Sequence, residues 1–374
     1  MPRRQPTRWV EVDTDALRHN LGQVRGILPQ SCGLLAVVKA NGYGHGLVLA
    51  ARAFESAGAD GLGVTTFEEA SELREAGVRC RALMLAPLLP QDAGAVVELV
   101  VEPTLTSRAA AESLSDAAVS AGVTVKCHLK VDTGMGRAGV LPEDAADLAR
   151  GICSLPGLEL RGIYTHLPNA QDDRSAALSL QRFASARASL AEAGIAVPQA
   201  HAANSAALLL RPESRLDMVR TGTLLYGQFP PGAGGGLDLR QTWRYLATFV
   251  EVKQIPKGWT VSYGSEYRAP ATKRVGVLAV GIADGLAVSP DSLWRGARGA
   301  KRWLGAALRG PGPFVRVGGK PAPILGRVAA QMCVVDLDDH PNTEPGDVAE
   351  VPARRTLVGA QVPRFAKGEV PGGC

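Results

Sequence analysis

The chain of 374 residues is long enough for one large domain and a smaller one, and with 46% apolar and 21% charged residues it has an ordinary globular composition. The formal net charge of +5 is spread along the chain without a block of like charges, which argues against a nucleic-acid-binding protein. No apolar run approaches the length of a membrane span, which argues against a membrane protein.

The N-terminus and the cysteines indicate the cellular compartment. The opening residues MPRRQPTRWVEVDTD are not followed by the apolar core of a signal peptide. The six cysteines are scattered, without a CxxC pair and without cysteines and histidines at zinc spacing. We therefore expect reduced thiols, no metal site and a cytoplasmic protein.

The first predicted element is a strand near the N-terminus. The residues RWVEV alternate apolar and polar side chains, a period typical of a strand with one buried face. We expect residues 1–12 to pair with a sheet in the C-terminal part of the chain, before the next domain starts at residue 13.

Residues 13–232 repeat one unit, an apolar and β-branched run followed by an amphipathic stretch that ends in glycine. The runs predict eight strands at 33–39, 61–66, 82–87, 99–105, 125–132, 160–167, 200–205 and 216–222. A doubly wound open sheet shows the same alternation. Eight units in about 230 residues favour an α/β fold of the (β/α)8 TIM-barrel type.

A different pattern follows a linker rich in proline and glycine, PPGAGGGLDLRQ, at 230–241. Short strand-like runs such as VGVLAVGI and CVVDL are separated by turn residues, with little helix between them. This pattern predicts a C-terminal, mainly-β domain over residues 233–374.

Polar residues stand at the carboxyl ends of the predicted barrel strands, where barrel enzymes place their active sites. They are Lys39, Lys130, Arg137, His166, Asn204, Ser205 and Arg220. Each one alone is an ordinary polar residue at a strand end, but five strand ends bring them to the same mouth. The set predicts a site for a phosphorylated aldehyde cofactor.

Pyridoxal 5'-phosphate suits these residues. Lys39 offers the amine for a Schiff base, and the start of the NSAA helix and the TGT turn at 221–223 offer amides and hydroxyls to the phosphate. Arg220 is placed to reach the pyridine nitrogen. Because arginine keeps its proton, the ring nitrogen stays unprotonated and the ring is a poor electron sink. This favours a reaction that only removes and returns the α-proton.

The sequence contains an ordered series of motifs, AVVKANGYGHG, KVDTGMGRAGV, THLPNA, HAANSAA, MVRTGTLLYG, VSYGSEYRA and GIADG. Together they resemble the bacterial alanine racemases from residue 9 to about residue 365. The resemblance implies a racemase that interconverts L- and D-alanine with two bases, Lys39 on one face of the α-carbon and Tyr263 on the other. It also implies a homodimer with shared active sites, because Tyr263 serves the site of the partner subunit in this family.

The resemblance also implies roles for other residues. His166 and, behind it, Arg220 form a positive hydrogen-bonding relay that helps a phenol act as a base, since a free phenol holds its proton up to about pH 10. Arg137 matches a residue that binds the cofactor's phenolic oxygen and the substrate carboxylate, and Lys130 matches a lysine that is often carbamylated. The residues expected at the cofactor are Lys39, Tyr43, Arg137, Asn204, Ser205, Arg220, Gly222 and Thr223.

Three positions at the expected entrance and substrate end depart from the family pattern. Ile282 stands where the family usually has tyrosine, and an ungapped alignment puts Ala330 and Gln331 in place of a methionine and an aspartate. The lost bulk and charge leave open a racemase of serine or of several amino acids.

Two other functions share parts of this pattern. Non-catalytic barrels that hold pyridoxal phosphate keep the cofactor lysine but lack a second domain with a residue such as Tyr263. Fold-related decarboxylases generally place an acid, instead of a residue such as Arg220, at the ring nitrogen. Both are less favoured than an amino-acid racemase.

Overall fold

The computed structural model describes residues 6–288 and 313–369, and the chain forms two compact units. One is Thr14–Thr242, and the other joins Met1–Asp13, with strand β1 (Arg8–Val12), to Trp243–Cys374. The basic N-terminal tip and Cys374 lie outside the described residues.

The linker belongs to the first unit, ten residues further along the chain than the expected boundary at residue 232. Hydrogen bonds to the first helix hold it there. Arg240 N donates to Asn20 Oδ1 over 2.8 Å, and Asp238 N donates to Gln23 Oε1 over 3.0 Å. These polar contacts are long-range, so the composition of the linker does not predict them.

The first unit is built on an eight-stranded parallel sheet. Its strands are β2 (Gly33–Val37), β3 (Gly61–Val64), β4 (Ala82–Pro87), β5 (Glu102–Leu105), β6 (Val125–Lys130), β7 (Leu158–Tyr164), β8 (Gln199–His201) and β9 (Met218–Thr221). Their order is β8-β7-β6-β5-β4-β3-β2-β9, and backbone hydrogen bonds from Asp217 to Ala200 and from Arg220 to Ala203 join the two outer strands. The sheet therefore closes into the expected barrel, and the open-sheet alternative is wrong.

The described helices of this unit alternate with the strands. They are α1 (Thr14–Gly26), α2 (Lys39–Tyr43), α3 (Leu47–Ser56), α4 (Phe67–Glu75), α5 (Ala93–Leu99), α6 (Arg108–Ser120), α7 (Ala145–Ser154), α8 (Asp173–Glu192) and α9 (Ser205–Leu210). Side-chain caps at Thr66, Ser107, Asp172 and Asn204 begin four of them. Within the described residues, no helix is both long and apolar enough to span a membrane.

The second unit contains a mainly antiparallel eight-stranded sheet, ordered β13-β16-β15-β14-β17-β10-β1-β18, and a two-stranded hairpin. Its remaining strands are β10 (Trp243–Ile255), β11 (Thr260–Val261), β12 (Tyr267–Arg268), β13 (Lys273–Leu278), β14 (Phe314–Val317), β15 (Lys320–Leu325), β16 (Cys333–Asp336), β17 (Val348–Glu350) and β18 (Arg364–Ala366). The N-terminal strand β1 pairs antiparallel with β10 and parallel with β18.

Candidate active site

Lys39 follows strand β2 and begins a turn of unusual backbone conformation. Ala40, Asn41 and Gly42 have φ between 54° and 59°, and Tyr43 has φ 52°. Residues with a side chain seldom adopt this left-handed conformation, which costs roughly 1–2 kcal/mol each. Such a run of left-handed residues is more typical of a functional site than of an ordinary loop.

Side chains stabilise this turn from outside. Ala40 N donates to Glu69 Oε1 over 2.7 Å, and Asn41 Oδ1 accepts a hydrogen bond from Leu47 N over 2.8 Å. Burial lowers the pKa of Lys39, Arg137 lowers it further, and Glu69 opposes the shift. A lowered pKa increases the fraction of neutral amine at neutral pH, which is the form that acts as a nucleophile or base.

Lys130 and Arg137 lie on the same side of the cavity, at the end of β6 and in the loop after it. Asp132 holds the loop by accepting hydrogen bonds from the four backbone amides of Gly134, Met135, Gly136 and Arg137 over 2.8–3.2 Å. Burial, followed by Arg137 and Arg220, lowers the pKa of Lys130 to about 8. Three cationic side chains, Lys130, Arg137 and Arg220, therefore lie close together at the cavity.

His166 follows strand β7, and Arg220 is on strand β9. Asn204 Nδ2 donates to His166 Nε2 over 3.4 Å, and Arg220 Nη2 donates to the carbonyl oxygen of Thr165 over 2.6 Å. Burial first, and then Arg220 and other cations, lower the pKa of His166 to about 3. Its imidazole is therefore neutral at neutral pH, because a buried cation beside Arg220 is too costly.

The hydroxyl groups of Tyr43, Ser205 and Thr221 gather close to Gly222. Ser205 Oγ lies 2.9 Å from Thr221 Oγ1 and accepts a hydrogen bond of 3.0 Å from Gly222 N. A Cβ at Gly222 would lie 2.5 Å from Tyr43 Oη, so only glycine leaves room for this phenol. Burial raises the pKa of Tyr43, which keeps its proton available for donation.

The start of α9 differs from the expectation in one detail. Asn204 Oδ1 accepts hydrogen bonds from Ala206 N over 3.1 Å and from Ala207 N over 3.0 Å. These two amides are therefore engaged by the helix cap. Three residues with hydroxyl groups, Tyr43, Ser205 and Thr223, also line the cavity.

One cavity of about 630 Å³ lies at the carboxyl ends of the barrel strands. The expected residues that line it are Lys39, Tyr43, Lys130, Arg137, His166, Asn204, Ser205, Arg220, Gly222 and Thr223. Sequence reasoning missed Thr65 and Tyr164, which also line it. Tyr164 is the last residue of β7 and lies two residues before His166, so a period-two alternation continued past the strand end predicts both on the same face.

The remaining expected residues belong to the second unit. Tyr263 is 72% exposed, in a turn where Ser262 has φ 63° and Ser262 Oγ donates to the carbonyl oxygen of Arg327 over 2.6 Å. Ile282 is 50% exposed, and Ala330 and Gln331 are also exposed. Backbone hydrogen bonds from Ile282 to Ala329 and from Ala283 to Ala330 hold these two loops together.

The residues of the cavity fit pyridoxal phosphate. A primary amine, a buried guanidinium and a group of hydroxyl donors stand around a space that suits a small aromatic phosphate ester. The close approach of Tyr43 to Gly222 places a phenol donor beside the other hydroxyl groups. In the described part of the chain, no group of His, Cys, Asp and Glu suits a metal ion.

Comparisons with known proteins give a consistent result. The family models of the alanine racemase N-terminal and C-terminal domains match residues 12–230 and 243–366. The chain is 38% identical to the alanine racemase of Desulfovibrio desulfuricans, over 91% of this chain and 87% of that protein. It is 36% identical to the alanine racemase of Synechocystis, over 94% and 89% of the two chains. The crystal structure of alanine racemase from D-cycloserine-producing Streptomyces lavendulae matches with a TM-score of 0.83 and 32% identity over 98% of both chains.

Proposed function

Because the chain belongs to the alanine racemase family and interconverts L- and D-alanine, we propose that it does so with pyridoxal 5'-phosphate and with Lys39 and Tyr263 as the two bases. The observation that carries the proposal is the gathering of ten expected residues around one cavity. The names of the relatives favour alanine over serine or a mixed substrate range. The match to the C-terminal domain model disfavours a non-catalytic barrel.

The residues divide the work of holding the cofactor. The hydroxyl groups of Tyr43, Ser205 and Thr223 would bind the phosphate, and Arg220 would donate to the ring nitrogen. When bound, the cofactor supplies an aldehyde that links to the substrate amine and a ring that acidifies the α-carbon. The protonated guanidinium of Arg220 would leave the ring nitrogen unprotonated, which would favour simple return of the proton over side reactions.

Proton transfer falls to Lys39 and Tyr263. The lowered pKa of Lys39 suits an amine that takes the α-proton at Nζ on one face and returns it there in the reverse direction. In the direction in which Lys39 takes the proton, the phenol of Tyr263 would give its own proton to the other face, and in the reverse direction it would take one there, so that the configuration inverts. Arg137 would bind the substrate carboxylate and so orient the α-carbon between the two bases.

A homodimer would bring these two bases together. Tyr263 belongs to the second unit and its side chain is 72% exposed, so it is available to a partner subunit. A large exposed tyrosine in a turn held by hydrogen bonds is typical of an interface residue. We assign it to the active site of the partner.

Carbamylation of Lys130 would relieve the crowding of cations in the cavity. Carbon dioxide reacts with a neutral amine, and a pKa of about 8 makes part of the Lys130 amine neutral at physiological pH. The carbamate is an anion, and it would accept hydrogen bonds from Arg137. The carbamate of Lys130 would therefore hold Arg137 in position to bind the substrate carboxylate.

A direct assay tests the proposed function. The purified protein, supplied with pyridoxal phosphate, is incubated separately with each L-amino acid, and the D-enantiomers are measured by chiral chromatography. We expect D-alanine to form fastest, L-alanine to form from D-alanine, and no product with Lys39→Ala. A protein that binds the cofactor and forms no D-alanine would overturn the proposal.

A further inference from the structure

Two buried histidines lie directly below the cavity and have no part in the reaction described so far. His128 is on strand β6, His201 ends strand β8, and neither has exposed surface. Arg220 Nη1 lies 2.9 Å from His201 Nδ1, and His201 Nε2 lies 2.9 Å from His128 Nδ1. His128 Nε2 lies 3.0 Å from Glu102 Oε2, at the amino end of strand β5. A continuous hydrogen-bonded chain therefore crosses the barrel from the cavity to Glu102.

The chemistry of Arg220 and Glu102, at the two ends, fixes the direction in which these hydrogen bonds are donated. A guanidinium only donates hydrogen bonds, so His201 Nδ1 must accept from Arg220. Burial lowers the pKa of both histidines, and each ring therefore carries one proton. His201 then donates from Nε2 to His128 Nδ1, and His128 donates from Nε2 to the carboxylate of Glu102. The opposite direction would place two donors face to face at Arg220 and two acceptors face to face at Glu102.

We propose that Glu102 is a positioning residue for Arg220, acting through the tautomers of His128 and His201. The carboxylate selects the tautomer of His128, which selects that of His201, which leaves an acceptor facing the guanidinium. This inference rests on the proposed function, because Arg220 matters to the reaction through the cofactor ring. Arg220 has two further acceptors, the carbonyl oxygens of Thr165 and Ala202, on its other nitrogen.

Arg81 makes the choice of tautomer depend on Glu102. Its Nη2 lies 2.7 Å from Glu102 Oε2 and only 3.0 Å from His128 Nε2, and it also donates to Gln199 Oε1. While the carboxylate is present, Arg81 and His128 both donate to it. Without the carboxylate, Arg81 is the nearest partner of His128 Nε2 and favours an unprotonated nitrogen there. The direction of hydrogen-bond donation would then reverse, and His201 would present an N–H group to Arg220.

The test uses three variants of the holoenzyme labelled with 15N in histidine. Glu102→Leu removes the carboxylate and leaves Arg81. Arg81→Met is the matched control, since it breaks the same ion pair but keeps the carboxylate. The double variant Arg81→Met with Glu102→Leu removes both charges, so Arg220 alone selects the tautomers. The 15N resonances of ring nitrogens report which of them carries the proton.

In the wild-type protein and in Arg81→Met, we expect the proton on Nε2 of both His128 and His201. We expect Glu102→Leu to move both protons to Nδ1 and to lower kcat by about ten- to a hundredfold, the loss typical of one disturbed hydrogen bond to a charged group. The double variant should restore the wild-type tautomers and recover most of kcat. It also protects the test against misfolding, because it leaves no unpaired charge.

Recovery of kcat in the double variant distinguishes a positioning role of Glu102 from a merely structural one. A structural role predicts a further loss of kcat in the double variant. Wild-type tautomers in a folded Glu102→Leu protein, or equal loss of kcat in Arg81→Met, would overturn the inference. A wild-type protein without racemase activity would contradict the proposed function instead, because the tautomers are measured independently of turnover.

Discussion

The ring of Tyr164 stacks on the imidazole of His201, with the ring centroids 4.8 Å apart and the planes inclined by only 8°. The guanidinium carbon of Arg220 lies 4.9 Å from the centroid of the Tyr164 ring, and Lys130 Nζ lies 5.5 Å from it. Cations are attracted to aromatic rings, so Tyr164 offsets part of the repulsion between these two cations. Burial raises the pKa of the phenol to about 12, so the ring stays neutral.

Two substitutions separate the ring of Tyr164 from its hydroxyl group. Tyr164→Phe keeps the stacked ring and removes the hydrogen bonds to Thr104 Oγ1 and Leu85 O, which measure 2.8 and 3.2 Å. We expect a loss of about 1–2 kcal/mol in the free energy of unfolding. Tyr164→Ala also removes the ring, and we expect a loss of about 3–5 kcal/mol. Urea denaturation measures both values, and equal losses would show that the ring contributes nothing.

The cofactor should be attached to Lys39. Reduction of the holoenzyme with borohydride followed by digestion and mass spectrometry should find the cofactor on the peptide that contains Lys39. Lys130 lines the same cavity and is the natural control, because its amine also has a lowered pKa. A label on Lys130, or a label that persists in Lys39→Ala, would contradict the assignment.

Subunit mixing tests the assignment of Tyr263 to the partner's site. Lys39→Ala and Tyr263→Phe should each be inactive. After mixing and subunit exchange, up to about a quarter of all sites should contain both wild-type bases, because hybrid dimers form at random. Activity that does not return, although mass spectrometry shows hybrid dimers, would mean that the two residues do not act across an interface.

The barrel was predictable because its signal is local. Each strand and helix has its own periodicity, and only their number was needed to choose the fold. The position of Lys39 illustrates the limit. The sequence predicts a strand over 33–39, but β2 ends at Val37, because Glu69 and Asn41 hold the following residues in a left-handed turn through hydrogen bonds. Such contacts depend on tertiary structure.

The hydrogen-bonded chain of side chains from Arg220 to Glu102 was not predictable for a related reason. His128 and His201 stand within barrel strands, where a histidine usually has an ordinary structural role. Their meeting depends on the register of strands β6, β7 and β8, which a single sequence does not determine. The ten expected residues that line the cavity, in contrast, stand in motifs of a few consecutive residues each, which a single sequence does show.

The entrance residues should tune selectivity without changing the reaction. Ile282 and Ala330 are exposed, and the contacts that hold their loops use the backbone, so larger side chains should fit. We expect alanine to be the best substrate and serine a poor one. Ile282→Tyr combined with Ala330→Met should lower the ratio of kcat/KM for serine to that for alanine by about tenfold, within the roughly 1–3 kcal/mol that pocket size provides. An unchanged ratio would show that these positions do not contact the substrate.

Stability as a function of pH tests the state of Lys130. Its pKa of about 8 in the folded protein lies below the ordinary value of 10.5, so the unfolded chain binds more protons between these two values. The free energy of unfolding should therefore increase as pH rises from 8 to 10.5, and the buried charge should cost up to about 3 kcal/mol below pH 8. In bicarbonate-free buffer, Lys130→Met should remove this cost and be the more stable protein at pH 7, with the difference narrowing towards pH 10.5.

Bicarbonate should reverse that order if the lysine is carbamylated. The carbamate replaces the cationic Lys130 amine beside Arg137 with an anion. The repulsion between Lys130 and Arg137 is then replaced by an ion pair. Added bicarbonate should then stabilise the wild-type protein and leave Lys130→Met unchanged, which makes this variant the control for general salt effects. Carbamylation consumes the neutral amine, so the stabilisation should grow as pH rises from 7 towards 8, where half of the amine is neutral. A wild-type protein that responds to bicarbonate no more than Lys130→Met does would show that Lys130 remains a free amine and that Arg137 is held by its loop alone.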